Sequence, residues 1–394
     1  MKDLNENFII IEHPDIHGVA RGKFFNRSLV DLKKGFKMIE GFHHFLPTGS
    51  LYSKISCSDI EYEFSEVFDP LDVKITRTFI RPVNETHLDT REHCRRALES
   101  LEQKHGLKIK CGTEFEIYDF SEKVSPTKPV ADMKIRSTKL SNGMKIISAC
   151  YDKFLQHGIE VRSFHEEYSK NQFEIALNYK EGLASADDNY FFREIVKTEF
   201  PESSFLTDLS IDGLSNSAHH SISLWKNEEN VTEEHYKNWL AGVVKHTPAL
   251  LAFFSPFEND YFRLERDHNW APSDISYGHE TRDVGYRIKN KQLIENRYVS
   301  GVSNPYLVLA GTVIAGIEGL ERGEQISDSK QSLPLTLSEA LDALENDDLF
   351  TNFFGEEFIS MFVGMKREEI SKFADYDDPA EKFEKQVEIY KKFF

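Results

Sequence analysis

The sequence predicts an α+β protein in two parts, a β-rich N-terminal domain over residues 1–87 and a larger mixed domain over residues 88–394. Three observations support this. Apolar runs of strand length, separated by turn residues, dominate the N-terminal part; strand-like and helix-like segments then interleave; the C-terminal third carries helical spacing and helix caps. At 394 residues, with 40% hydrophobic and 12% aromatic content, the chain can bury a large core and exceeds the usual length of one domain.

Taken in order, Phe8 to Phe25 reads as a hairpin whose turn carries Pro14, Asp15, His17 and Gly18. Alternation resumes from Ser56 to Ile80. Thr90 to His105 has helical spacing and stops before Gly106, so the domain boundary falls near His87. Strands are expected around Lys108 to Tyr118, Ile159 to His165 and Gln172 to Tyr179, and helices over Gly143 to His157 and Thr232 to Ala252. Asn304 can cap a helix that begins with Pro305, and Thr336 with Glu339 forms a capping box ahead of Leu337, Leu341 and Leu344.

Composition narrows the function. A formal charge of -18 repels a phosphate backbone or an anionic bilayer, so neither nucleic acid nor a membrane is an expected partner. Cys57, Cys94, Cys111 and Cys150 form no CxxC pair or disulfide framework, which points to structural thiols in a reducing compartment and excludes zinc-ribbon chemistry. The N-terminus has no basic region followed by a long apolar core, and the longest apolar run, Tyr306 to Ile317, is too short for a span. The expectation is a cytoplasmic protein.

Four constellations could carry chemistry. In Gly112-Thr-Glu-Phe-Glu-Ile117 the strand period of two sets Glu114 and Glu116 on one face and Phe115 and Ile117 on the other. On its own, such a pair is more often a solvated face. In His165 to Ile175, residues 168–171 can turn the chain and bring Glu167 beside Glu174, an arrangement of like charges that a cation would relieve. His219 lies in an apparent strand, and Glu295 with Arg297 lies in another, where a simple salt bridge is the alternative reading.

In order and spacing, these pieces resemble the glutamine synthetases. The resemblance runs over nearly the whole chain: Asp15-Ile-His-Gly-Val-Ala-Arg-Gly-Lys23, Lys245-His-Thr-Pro-Ala-Leu-Leu-Ala252, Arg263-Leu, Ala271-Pro, the Arg282 and Arg287 pair, Ile294-Glu-Asn-Arg297 and Lys366-Arg-Glu-Glu. It implies a β-grasp-like N-terminal domain followed by a catalytic domain with a curved antiparallel sheet flanked by helices. It also implies one Mg²⁺ or Mn²⁺ held by Glu116, Glu167 and Glu174 and a second held by Glu114, His219 and Glu295, a hard-donor set that suits those ions. Arg263 and Arg297 are implied for the amino acid, Arg282 and Arg287 for phosphate, and His219 and Ser223 for nucleotide contact. The implied reaction activates glutamate with ATP to an acyl phosphate that an amine captures, in a large ring-shaped homo-oligomer.

The chain also departs from the family pattern. Ser221 stands where a second histidine is usual, Leu214 lies in the glycine-rich loop, Asp208 stands near a usual lysine, and Leu293 replaces a common arginine. The segment from Asp72 to Asp89 is short. Trp270 replaces a glutamate that deprotonates ammonium, as in the branch that ligates larger amines and in the non-catalytic relative lengsin. An indole accepts no proton but can stack on an amine's body or attract its cation, so the expected acceptor is a larger amine.

Overall fold

A computed structural model describes residues 7–54, 58–68, 76–119, 142–167, 171–209, 215–265, 271–290, 292–326 and 332–394. The expected hairpin forms from β1 (Phe8–Pro14) and β2 (Ala20–Asn26), which pair antiparallel. β3 (Phe36–Ile39), β4 (Asp59–Phe68) and β5 (Thr76–Pro82) complete a five-stranded sheet in the order β2-β1-β5-β4-β3. β1 and β5 run parallel at its centre, a β-grasp-like arrangement. β3 was not anticipated.

This sheet is tied firmly to the rest of the molecule. The turn between β1 and β2 is buried, and the Asn304 side-chain amide donates to the carbonyls of Asp15 and Ile16 at 3.0 and 3.2 Å. Asn304 Oδ1 meanwhile caps the helix that begins with Pro305. Arg193 donates to the carbonyls of Gly18, Gly301 and Ser303, so one buried guanidinium satisfies three loop acceptors.

After the sheet, α1 (Thr90–His105) matches its expected span and ends on Gly106 at φ 62°, a left-handed cap open to glycine at little cost. A ten-stranded sheet follows, built from β6 (Lys108–Asp119), β7 (Val161–Glu166), β8 (Gln172–Leu177), β9 (Lys180–Glu181), β10 (Ser203–Ser204), β11 (Ala218–Lys226), β12 (Glu229–Asn230), β13 (Tyr277–His279), β14 (Tyr286–Lys289) and β15 (Leu293–Asn296). Its main path is β13-β14-β15-β11-β6-β8-β7, with neighbours antiparallel except β13 and β14. Ile109, Cys111, Phe115 and Ile117 of β6 pack into the core, and the alternate residues form the opposite face.

The helices interleaved with this sheet are α2 (Asn142–Gln156), α3 (Gly182–Glu199), α4 (Glu233–Lys245), α5 (Thr247–Phe254) and α6 (Glu258–Glu265). The helical C-terminal part comprises α7 (Pro305–Arg322), α8 (Leu337–Glu345), α9 (Asp348–Phe354), α10 (Glu356–Ser371) and α11 (Pro379–Tyr390). Two expectations need correction. Thr232 to Ala252 is not one helix: it breaks at His246, and Pro248 sits in the first turn of α5, where its missing N–H costs nothing. α3 was not foreseen at all. The capping box at Thr336 forms, with Thr336 Oγ1 accepting from Glu339 N at 3.1 Å, but Glu339 reaches back to Leu335 N rather than to the cap residue's own N–H.

Candidate metal centre

Register brings the candidate residues together. β6 lies between β8 and β11. On one side Glu116 is directly opposite Glu174, and on the other Glu114 is directly opposite His219. β15 then places Glu295 opposite Ser221, β14 places Arg287 opposite Glu295, and β7 places His165 opposite Glu174. Directly paired residues share a sheet face. One face therefore carries a diagonal of acids and imidazoles drawn from segments far apart in sequence.

One half of the centre is compensated by the protein's own cations. His219 Nδ1 lies 3.7 Å from Glu114 Oε2 and 3.5 Å from Glu295 Oε1, while its Nε2 is 3.1 Å from Ser217 Oγ. Glu295 Oε1 accepts from Arg297 at 2.8 Å, and its Oε2 faces Lys289 at 2.5 Å and Arg287 at 3.3 Å. Lys289 also approaches Glu114 Oε1 at 3.6 Å. Burial alone would raise Glu114, yet His219 and Lys289 bring its pKa down to about 2. Burial is likewise outweighed at Glu295 by His219 and Lys289, which hold it below the ordinary range. Burial and Arg297 depress His219 to about 4, leaving it in the neutral form that binds a metal.

The other half is crowded with like charge. Burial, with the charges of Glu167 and Glu174, pushes Glu116 up to about 8; burial, with Glu114, pushes Glu174 up to about 7. Glu116 Oε2 accepts from Ser217 N at 2.6 Å. His165 Nε2 is 2.9 Å from Glu167 Oε1, and its Nδ1 is 3.8 Å from Glu174 Oε1. The hydrogen bond to Glu167 raises the His165 pKa despite partial burial.

Ligand-capable atoms of Glu114, Glu174 and His219 lie within 4.8 Å of one another, as do those of His165, Glu167 and Glu174. Glu174 belongs to both groups, so the two halves form one continuous cluster. Carboxylates held together at the cost of raised pKa values fit a divalent cation, and the oxygen-rich donor set suits Mg²⁺ or Mn²⁺.

The expected pairing of Glu167 with Glu174 needs refinement. Glu167 lies one residue past β7, where its N–H donates to Gln172 O at 2.8 Å, and the residue opposite Glu174 is His165. Arg263 is buried and donates to the Arg297 carbonyl at 2.8 Å, and burial lowers its pKa to about 10. Arg287 keeps a buried Nε without a partner. Arg282 is exposed on the loop between β13 and β14. Ser223 is occupied within the sheet, accepting from Trp225 Nε1 at 2.8 Å. Ser221, between His219 and Ser223 on the same face of β11, has a buried hydroxyl without a partner. Trp270, Leu214 and residues 168–170 lie outside the described residues.

Three neighbours of the centre were missed from the sequence. His165 and Lys289 each stand two residues from a candidate, Glu167 and Arg287, a spacing that strand alternation could have flagged. Ser217, which meets both Glu116 and His219, carried no signal of its own.

A family model described as the glutamine synthetase catalytic domain matches residues 87–384. The chain is 31% identical over 323 residues to the glutamine synthetase of Pyrococcus horikoshii, covering 73% of this chain and 72% of that protein. It is also 31% identical over 265 residues to lengsin of Rattus norvegicus, covering 59% of this chain and 47% of lengsin. Among solved structures, a novel glutamine synthase homolog superposes with a TM-score of 0.83 at 20% identity over 98% of each chain. A GmaS/ADP complex superposes with a TM-score of 0.82 at 22% identity over 96% of this chain and 98% of that one. These two likenesses establish the fold.

Proposed function

The chain belongs to the glutamine synthetase family of ligases, and from that premise we propose that it activates the side-chain carboxylate of glutamate with ATP and transfers the acyl group to an amine. The observation that carries this is the convergence of Glu114, Glu116, Glu174, His219 and Glu295 on one sheet face, joined by Glu167 from the adjoining turn. Bound Mg²⁺ or Mn²⁺ would supply positive charge where phosphate charge develops.

The chain's own residues take the remaining roles in this reading. Ser217 orients His219 through Nε2, leaving Nδ1 toward the carboxylates, and its N–H fixes Glu116. Arg287, with an unpartnered Nε, and Ser221, with an unpartnered hydroxyl, offer donors to a phosphate group; Arg282, on its exposed loop, joins them from outside. Ser223, on the same face of β11 but held by Trp225, is a further nucleotide contact once released. Arg263 and Arg297 are assigned to the amino-acid carboxylate, their buried charges strengthened by low local dielectric. The acceptor in this proposal is an amine larger than ammonia, on the strength of Trp270. The division at His87, a homo-oligomeric ring and a cytoplasmic setting belong to the same proposal.

The test is release of ADP and phosphate with Mg²⁺, glutamate and a panel of amines that includes ammonia. Turnover with at least one amine is expected, and none with any member of the panel would remove the reading. A second reading, a lengsin-like interaction protein without catalysis, is favoured by Ser221 in place of a histidine and by the likeness to lengsin. Calorimetry with ATP and Mn²⁺ separates them, because the ligase must bind both.

A further inference from the structure

We infer that His165 is a metal ligand of this centre, giving the cation held by Glu116, Glu167 and Glu174 an imidazole nitrogen and turning an all-carboxylate site into a mixed nitrogen and oxygen site. The inference rests on the reading of the cluster as a metal centre.

Three observations on different levels lead to it. At the level of register, β7 and β8 set His165 directly across from Glu174, and β8 and β6 set Glu174 directly across from Glu116. The three side chains therefore stand in one row across the sheet. At the level of geometry, His165 meets both remaining acids of the group: Nε2 is 2.9 Å from Glu167 and Nδ1 is 3.8 Å from Glu174. Its ligand-capable atom lies within 4.8 Å of those of both glutamates. Ligands bound at about 2.1 Å on opposite sides of one ion are about 4.2 Å apart, so small rotations close this group around a single cation.

The third observation is the contrast between the halves. Lys289, Arg287 and Arg297 converge on Glu295, so that half already has cationic partners from the chain. Glu116, Glu167 and Glu174 bring three acids together; Arg263 acts on Glu116 from a distance, and His165 is the group that bridges the other two. With His165 as a ligand, each half holds one imidazole, His219 in one and His165 in the other.

Chemistry gives the consequence. Carboxylates alone suit Mg²⁺, whereas an imidazole nitrogen favours metals further along the divalent series and so raises preference for Mn²⁺ and Co²⁺ over Mg²⁺. His165 then sets the metal selectivity of this half.

The experiment loads the full-length protein with Mn²⁺ and reads imidazole nitrogen couplings by pulsed electron paramagnetic resonance, alongside Mn²⁺ and Mg²⁺ affinities by calorimetry. In His219→Gln, which removes the other imidazole, bound Mn²⁺ should retain a nitrogen coupling, and in the double variant with His165→Gln that coupling should vanish. His165→Gln alone should lower the preference for Mn²⁺ over Mg²⁺ by about tenfold. His165 lies at a strand end and is about one-third exposed, so this single variant reports even if the buried His219 change disturbs folding. Mn²⁺ bound to folded His219→Gln without nitrogen coupling, or a selectivity unchanged in His165→Gln, would overturn the role of His165 and leave the metal centre standing. Wild-type protein that binds no Mn²⁺ would overturn both.

Discussion

Glu116 shows most directly what the centre demands of a single residue. In the metal-free protein its pKa is pushed up to about 8 by burial and by Glu167 and Glu174, and Glu174 is pushed up to about 7. The folded state thus holds protons that the unfolded chain releases near 4.5, so this contribution to stability is complete below 4.5, declines as pH rises from there and is gone above about 8. Mn²⁺ replaces those protons. The rise in melting temperature on adding Mn²⁺ should therefore be larger at pH 8.5 than at pH 6, as differential scanning calorimetry would record; an equal rise at both would contradict it. By the same reasoning Glu116→Gln removes a carboxylate that the metal-free fold charges at a penalty. At pH 8.5 the variant should be more stable than wild type by about 2 kcal/mol without metal and less stabilised by Mn²⁺, both measurable by urea unfolding.

At the scale of elements, α4 and α7 meet with backbone almost against backbone. A Cβ on Gly242 would stand 2.2 Å from Ala315 O and 2.7 Å from Gly319 N, and one on Gly316 would run into the Trp239 ring. No rotamer relieves a collision with backbone, so Gly242→Ala must separate two helices that are otherwise fully packed. A loss of about 3 kcal/mol is expected in chemical denaturation. Gly323 is the control: it caps α7 at φ 59° with open space around it, so Gly323→Ala should cost only about 1 kcal/mol of left-handed strain. A second element effect comes from β1, the turn that follows it and the segment after β3. His13 is lowered to about 3 and His44 to about 4, and His17 and His43 are held well below the usual value, all chiefly by burial, with Arg21, Lys366 and neighbouring histidines adding repulsion. Their folded pKa values lie below the unfolded 6.5, so their contribution is complete above 6.5 and is lost as pH falls toward 4. Glu116 and Glu174 pull the other way over the same range, so the test is the rings themselves: nuclear magnetic resonance of Mn²⁺-free protein should find all four neutral at pH 5.5, and rings that titrate near 6.5 would contradict it.

For the molecule as a whole, the sequence reveals the parts of the centre more readily than their arrangement. Alternation in β6 places Glu114 and Glu116 on one face, and the cap residues of α1, α7 and α8 mark their own positions, because these depend on neighbours along the chain. The insertion of β6 between β8 and β11 depends on contacts across more than fifty residues, and no local pattern encodes it. The same limit hid α3, whose buried Asp188, Asn189 and Arg193 interrupt any clean apolar stripe; the break at His246, by contrast, was legible, because Lys245-His-Thr-Pro248 interrupts the apolar residues on either side and Pro248 suits a helix's first turn. Assembly is the remaining property at this scale, and the N-terminal sheet carries a feature that bears on it. Among the described residues β2 is an edge strand, and Phe24 and Leu29, on it and just beyond it, are 64% and 84% exposed. An open strand edge flanked by large apolar side chains invites association, which native proteins otherwise prevent with charge or cover. If the chain forms the homo-oligomer proposed above through this edge, mass photometry should find multiples of 45.6 kDa. Leu29→Asp should shift the population toward the monomer while Mn²⁺ binding persists, since the metal ligands lie on the separate ten-stranded sheet and its adjoining turn. A Leu29→Asp protein with the wild-type mass distribution would move the interface elsewhere, and a wild type that is monomeric at micromolar concentration would remove it altogether.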